Sequence, residues 1–257
     1  MASQTPDRGA AAGSVAMVQA ALDRSDHAEV LRLTSAILAD RPGDDAAHEL
    51  RARALLAVGR LEEAVRHAAD AVRLDPDEIR YRELLAETLA ATGAHRDAAA
   101  EYGRLARNDP RQRDWVLAEA GELLGAAEAE DAVVAARRAV RLDPRDGPAQ
   151  LALAQGLARL GDGRGALAAA SIAGELLPGD LRAREVLADA QWLSQQDAAA
   201  FADFRGLAQE LSGADRVRVI AKARSLYRQH AGPIGRLVAG WPVLFGLALR
   251  SGWIDVR

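Results

Sequence analysis

The sequence predicts an all-α chain built from consecutive helical hairpins. Three observations lead there. Aromatic residues make up only 4% of a chain that is 49% hydrophobic, so Ala, Leu and Val carry the apolar content, and Ala and Leu are strong helix formers. Pro42, Pro76, Pro110, Pro144 and Pro178 stand at a constant spacing of 34 residues, far too regular for the ordinary frequency of proline. Between the prolines, apolar residues recur at helical spacing, as in Leu50, Ala54, Ala57 and Val58.

Placing each proline at position 32 divides the chain into six windows: 11–44, 45–78, 79–112, 113–146, 147–180 and 181–214. Position 8 then reads Val18, Ala52, Ala86, Ala120, Ala154 and Ala188, and position 20 reads Val30, Ala64, Ala98, Ala132, Ala166 and Ala200. Small side chains at a crossing point let two helices approach closely. Position 27 reads Ile37, Ala71, Leu105, Ala139, Ala173 and Leu207, where a small residue would admit the next hairpin. Gly59, Gly93 and Gly161 occupy position 15 and suit the left-handed conformation that ends a helix. The proline ends the second helix, because its ring clashes with the preceding turn and it has no N–H. The residues before it, Leu74-Asp75, Asn108-Asp109 and Leu142-Asp143, close that helix.

With period and residue types agreeing, the sequence resembles the tetratricopeptide-repeat family over the six windows, residues 11–214. The resemblance implies a right-handed solenoid of about six 34-residue helix–turn–helix repeats. It departs from the family pattern at Val30, Thr34 and Ile37 in the first window and at Gln191, Gln195 and Ser212 in the last, as terminal repeats with one unpartnered face do. The expected organisation is a disordered leader over 1–12, the solenoid over 13–214, a capping helix over 215–230 and an apolar, basic-flanked segment over 231–257. In the capping helix Val217, Ile220, Ala223 and Tyr227 share one side.

The net charge of -4 is unevenly spread. Residues 215–257 carry eight basic and two acidic side chains, a net +6, which leaves -10 for residues 1–214. That asymmetry suggests different partners for the two parts and disfavours nucleic acid, whose phosphates require clustered Lys or Arg. Lys222 is the only lysine, an arginine bias that points to a GC-rich bacterial genome. The absence of cysteine excludes disulfides, thiolate metal sites and thiol nucleophiles. The amino terminus lacks the basic start and strongly apolar middle of a secretory signal, so a cytoplasmic location is expected, with peripheral membrane contact as the alternative.

No reaction centre is legible. His48-Glu49 begins like a zinc-protease motif, but Ala52 stands where the second histidine belongs. His67 and His95 lie in different repeats with no acid at ligand spacing, and His27 and His230 read as capping or solvated rings. Gly161-Asp162-Gly163-Arg164-Gly165 looks like a phosphate loop, yet no strand precedes it and it falls where the inter-helix turn belongs. No catalytic residue, cofactor, metal or small-molecule substrate is expected, and the chain reads as a non-enzymatic scaffold.

The family resemblance implies that positions 2, 5, 9, 12 and 13 face a concave surface that binds extended peptides. Here they supply Glu49, Arg53, Arg80, Glu83, Glu87, Leu117, Leu124, Leu151, Gln155, Arg159, Arg182, Glu185, Asp189 and Trp192. The expected ligand is a protein or peptide client with basic and apolar side chains. Position 5 carries no lysine, so the family's clamp for chaperone carboxy-termini is absent. The segment 237–249, flanked by Arg236 and Arg250, is uncharged but interrupted by Pro242 and shorter than a spanning helix needs. Leu237, Trp241, Leu244, Phe245 and Trp253 are the expected contacts there. They would fold back on the last repeat, mediate self-association or another protein contact through 233–257, or lie at a membrane surface. A peripheral membrane assembly factor and a regulatory subunit of an enzyme complex are therefore the alternative functions.

Overall fold

The computed structural model describes residues 8–230 together with Phe245, Leu249 and Arg250. Among them are thirteen α-helices and no strand: α1 (Arg8–Asp23), α2 (His27–Asp40), α3 (Asp45–Ala57), α4 (Leu61–Leu74), α5 (Ile79–Ala91), α6 (His95–Asn108), α7 (Arg113–Gly125), α8 (Ala129–Leu142), α9 (Gly147–Arg159), α10 (Gly163–Leu176), α11 (Leu181–Leu193), α12 (Asp197–Glu210) and α13 (Gly213–His230). From α3 onward, odd-numbered helices through α11 begin every 34 residues. Helix α1 starts at Arg8, inside the stretch expected to be a disordered leader, because Ala10, Ala11 and Ala12 extend it favourably. Residues 1–7 and most of 231–257 lie outside the described residues.

The chain forms two compact units, residues 1–127 and 128–257. In the first, each helix from α1 to α7 packs on the next, and α1 and α5 also touch α3. In the second, α8 to α13 pack in sequence, and α9 also touches α11. The small residues at positions 8 and 20, expected at the helix crossings, lie in the core of each unit. Ala52, Ala64, Ala86 and Ala98 in the first unit, and Ala154, Ala166, Ala188 and Ala200 in the second, are all fully buried.

The turn inside each hairpin shows why glycine recurs at position 15. Gly59, Gly93 and Gly161 have φ of 77°, 77° and 76°, and Ser25, Ala127 and Gln195 hold the same left-handed conformation at 58°, 62° and 61°. The next amide reaches back to close the helix, as in Arg60 N–H to the Leu55 carbonyl (2.9 Å) and Ala94 N–H to the Leu89 carbonyl (3.0 Å). A Cβ on Gly93 would meet nothing within 4 Å, so only the backbone resists substitution. Gly93→Ala is therefore expected to lower stability by about 1 kcal/mol, and Gln195→Gly to raise it by about 0.5 kcal/mol, in urea unfolding.

The turn between repeats is held by side chains. Asp75, Asp109 and Asp143 each accept from the amide two residues on, at 3.2, 3.0 and 2.9 Å. Position 4 of the following helix then donates to the proline carbonyl: Arg82 Nη2 to Pro76 at 3.1 Å and Gln150 Nε2 to Pro144 at 3.0 Å. His48 Nε2 meets the Pro42 carbonyl at 3.0 Å in the same way. Three different side chains thus satisfy one recurring backbone acceptor.

Candidate protein-binding surface

Among the described residues, polar groups gather in a histidine cluster of the first unit and around a cavity of the second. His48, His67 and Asp70 bring three possible metal donors within 4.8 Å of one another. The partners of the rings determine where the protons sit. The Pro42 carbonyl can only accept, so His48 Nε2 carries a proton and its Nδ1 is a lone pair. Arg51 Nε donates to His67 Nε2 at 3.0 Å, so the His67 proton is on Nδ1, which donates to His48 Nδ1 at 2.9 Å. The chain Arg51–His67–His48–Pro42 is complete with both rings neutral. A cation between the two Nδ1 atoms would need the His67 proton moved onto the nitrogen that Arg51 already occupies, and the trio does not fit a metal.

Burial first, and then the Arg51 guanidinium, push the His67 ring down to about 4 from 6.5. The fold therefore holds the neutral ring, while the unfolded chain takes up a proton near 6.5. The resulting stabilisation is complete above that pH and is lost as pH falls from 6.5 towards 4. The ring is only half buried, so the effect is screened to about 1–2 kcal/mol. His67→Gln is expected to flatten this part of the stability-versus-pH curve. Equal losses of Tm in both proteins between pH 7 and 4.5 would contradict that.

Several of the residues expected on the inner face of the first unit have partners within the chain. Glu49 is buried and bound to Arg53. Glu83 accepts from Trp115 Nε1 at 2.6 Å. Arg80 lies 5.0 Å over the Tyr81 ring, and the Tyr81 hydroxyl donates to Asp45 at 2.9 Å. Glu87 is exposed and Leu117 half-buried. Asp97 is two residues from His95 in the sequence, yet it is Glu122, 27 residues on, whose Oε2 the fold sets 2.8 Å from the ring Nδ1.

Leu124 and Leu151, expected to face a ligand, are core residues with 5% and 8% exposure. The hairpin geometry turns them inward, and Leu151 packs in one cluster with Ala154, Ala166 and Val186. Glu49, at 5%, likewise offers almost no free surface.

The second unit contains a cavity of about 790 Å³. Arg182, Glu185, Asp189 and Trp192 line it from α11, and Gln155 and Arg159 from α9. Helix α13 forms a further wall with Asp215, Arg218, Lys222 and Leu226. This wall alters the expected electrostatics. Arg218 and Lys222 reach Glu185 at 2.5 and 3.1 Å, and Lys222 reaches Asp189 at 2.5 Å. Burial raises the Glu185 carboxyl, but hydrogen bonds from Arg218 and Lys222 outweigh it and leave the group below its ordinary value. At Asp189 burial prevails over Lys222 and leaves the carboxyl above it. The carboxylates expected to meet a basic client are thus met by the chain's own cations.

Behind the cavity, aromatic rings run towards the carboxy-terminal segment. Trp192 meets Phe201 edge-on at 5.8 Å, Phe201 meets Tyr227 at 5.6 Å, and Tyr227 meets Phe245 at 5.5 Å. Phe245 and Leu249 are buried in the same cluster as Phe204, Val219 and Ala223. Gln209 Nε2 donates to the Arg250 carbonyl at 2.9 Å. Of the expected tail contacts, Phe245 packs on this unit; Leu237, Trp241, Leu244 and Trp253 lie outside the described residues. No helix among the described residues is long and apolar enough to cross a membrane.

Residues 21–87 match the family model described as tetratricopeptide repeat. The chain is similar in structure to a tetratricopeptide-repeat protein from Parabacteroides merdae (TM-score 0.67, 15% identity, covering 93% of this chain and 96% of that one). It is also similar to the C-terminal part of a repeat-containing protein from Cytophaga hutchinsonii (TM-score 0.66, 14% identity, 90% and 94% covered). A thermophilic member from Thermus thermophilus gives a TM-score of 0.51 at 21% identity, over 70% of this chain and 98% of that one. Among curated proteins none matches by sequence.

Proposed function

We propose that this chain, a tetratricopeptide-repeat protein, is a non-enzymatic scaffold that holds a segment of another protein on the inner face of its repeats. The observation that carries the reading is the cavity of the second unit. Four of its lining residues, Arg182, Glu185, Asp189 and Trp192, come from positions 2, 5, 9 and 12 of one repeat, and Gln155 and Arg159 come from positions 9 and 13 of the repeat before. These are the positions at which the family presents side chains to a ligand. At about 790 Å³ the cavity has the size and the mixture of apolar floor and polar rim that suits a bound chain segment.

A photo-crosslinking residue at Arg182, on the cavity, and another at Ile172, 41% exposed on α10, test the reading in the source cell. The scaffold reading expects discrete protein adducts from position 182 and few from 172. Adducts only from 172, or from neither, refute it. The tethering alternative receives less support, since Phe245 and Leu249 are buried against α12 and α13 rather than presented outward.

A further inference from the structure

We infer that the cavity of the second unit selects an acidic, apolar peptide segment of another protein, with its carboxylate against Arg182 and its apolar side chain against Trp192. The inference rests on the scaffold reading and reverses the charge that the repeat positions alone suggest. It follows from what α13 does to the cavity. Glu185 and Asp189 are spaced four residues apart on α11, and Arg218 and Lys222 are spaced four apart on α13, so the two pairs meet face to face. Asp215 adds a weaker contact to Arg218 at 3.8 Å. The acidic pair of the repeat is therefore answered within the chain and has little charge left for a basic ligand.

The α11 cation Arg182 faces the cavity on the other side. The cavity is lined by four basic and three acidic side chains. Arg182 is exposed, and its guanidinium donates to a neutral partner, the Gln155 amide oxygen, at 3.1 Å. A ligand carboxylate could replace that oxygen, exchanging a neutral hydrogen bond for a charge-assisted one. Arg159 lines the same mouth. The apolar side of the cavity is fixed independently. Trp192, 8% exposed, is held edge-on by Phe201, and Val186 and Leu226 complete the floor. Displacing α13 instead would uncover Phe204 and expose Val219 and Ala223, all fully buried, so α13 is a permanent wall and not a removable plug.

The test uses the full chain and fluorescein-labelled octapeptides that share a Leu-Phe centre and differ in their flanks: Asp and Glu, or Lys and Arg. Each is made with a free and an amidated carboxy-terminus. At about 50 mM salt, where surface charges are weakly screened, fluorescence anisotropy is expected to show the acidic peptide binding at least about tenfold more tightly than the basic one. Arg182→Glu is expected to remove most of that preference at unchanged Tm, and Arg182→Lys to retain part of it. A loss on amidation shows that the terminal carboxylate is the one recognised; no loss assigns it to an Asp or Glu side chain. Equal or tighter binding of the basic peptide, no binding of the acidic one, or an unaffected Arg182→Glu variant each overturns the inference. Inner-face crosslinks from position 182 combined with a basic preference would sink the charge assignment alone. Absence of such crosslinks would sink the scaffold reading as well.

Discussion

Phe245→Ala is expected to destabilise the second unit by about 3–5 kcal/mol, the largest single-residue effect outside the repeats. The ring is fully buried. It touches Tyr227 and, through Tyr227 and Phe201, supports Trp192 on the cavity wall. Truncation removes the transfer term of a buried aromatic and leaves a void between α12 and α13. Urea denaturation of the full chain reads the loss directly, and Leu249→Ala, at 2% exposure, should follow it with about 2–5 kcal/mol. A segment that served only a membrane or a second protein would behave differently: stability of the isolated chain would hold, and liposome binding or self-association would fall instead. The same variant should also weaken any ligand that rests on Trp192, which links the carboxy-terminal packing to the candidate site.

The repeat was legible because packing dictates residue type at a fixed spacing. Two helices cannot cross closely without small side chains, so Ala98 and Ala154 announce themselves. The turn was legible only in part. Six residues adopt the left-handed conformation at position 15, but Ser25, Ala127 and Gln195 do so without being glycine, since one strained residue costs less than the hairpin contributes. The donors to the proline carbonyls were not legible at all. His48, Arg82 and Gln150 share a task and no chemical type, so no composition rule collects them. The His48–His67 contact needs α3 and α4 folded together before it exists.

The electrostatics of the candidate site were not legible for a related reason. Positions 5 and 9 of the last repeat put Glu185 and Asp189 among the residues expected to face a ligand, both line the cavity, and their charge alone implied a basic ligand. The cations that answer them sit 33 and 37 residues further along. Read along the sequence, Arg218 and Lys222 belong to a basic tail with a partner of its own; folded, they are part of the wall. Repeat position did not foresee the burial of Leu124 and Leu151, and it could not show the charge that Glu185 and Asp189 present once α13 is folded against them.

Ala98→Trp tests the register on which all of this depends. Ala98 is fully buried on α6, where α5 packs across it, and Ala86 on α5 is fully buried as well. Neither point carries a side chain larger than a methyl group. An indole has nowhere to go without prising the hairpin apart. The expected loss is about 3 kcal/mol, at the upper end for overpacking, with Ala154→Phe losing somewhat less at the corresponding crossing of α9 and α10. Val134→Trp is the control: Val134 is 59% exposed on α8, and substitution there should change stability by no more than about 0.5 kcal/mol. If Ala98→Trp and Val134→Trp unfolded at the same urea concentration, the small residues would not mark the crossing points. The positions counted from them, including those assigned to the ligand, would then lose their basis.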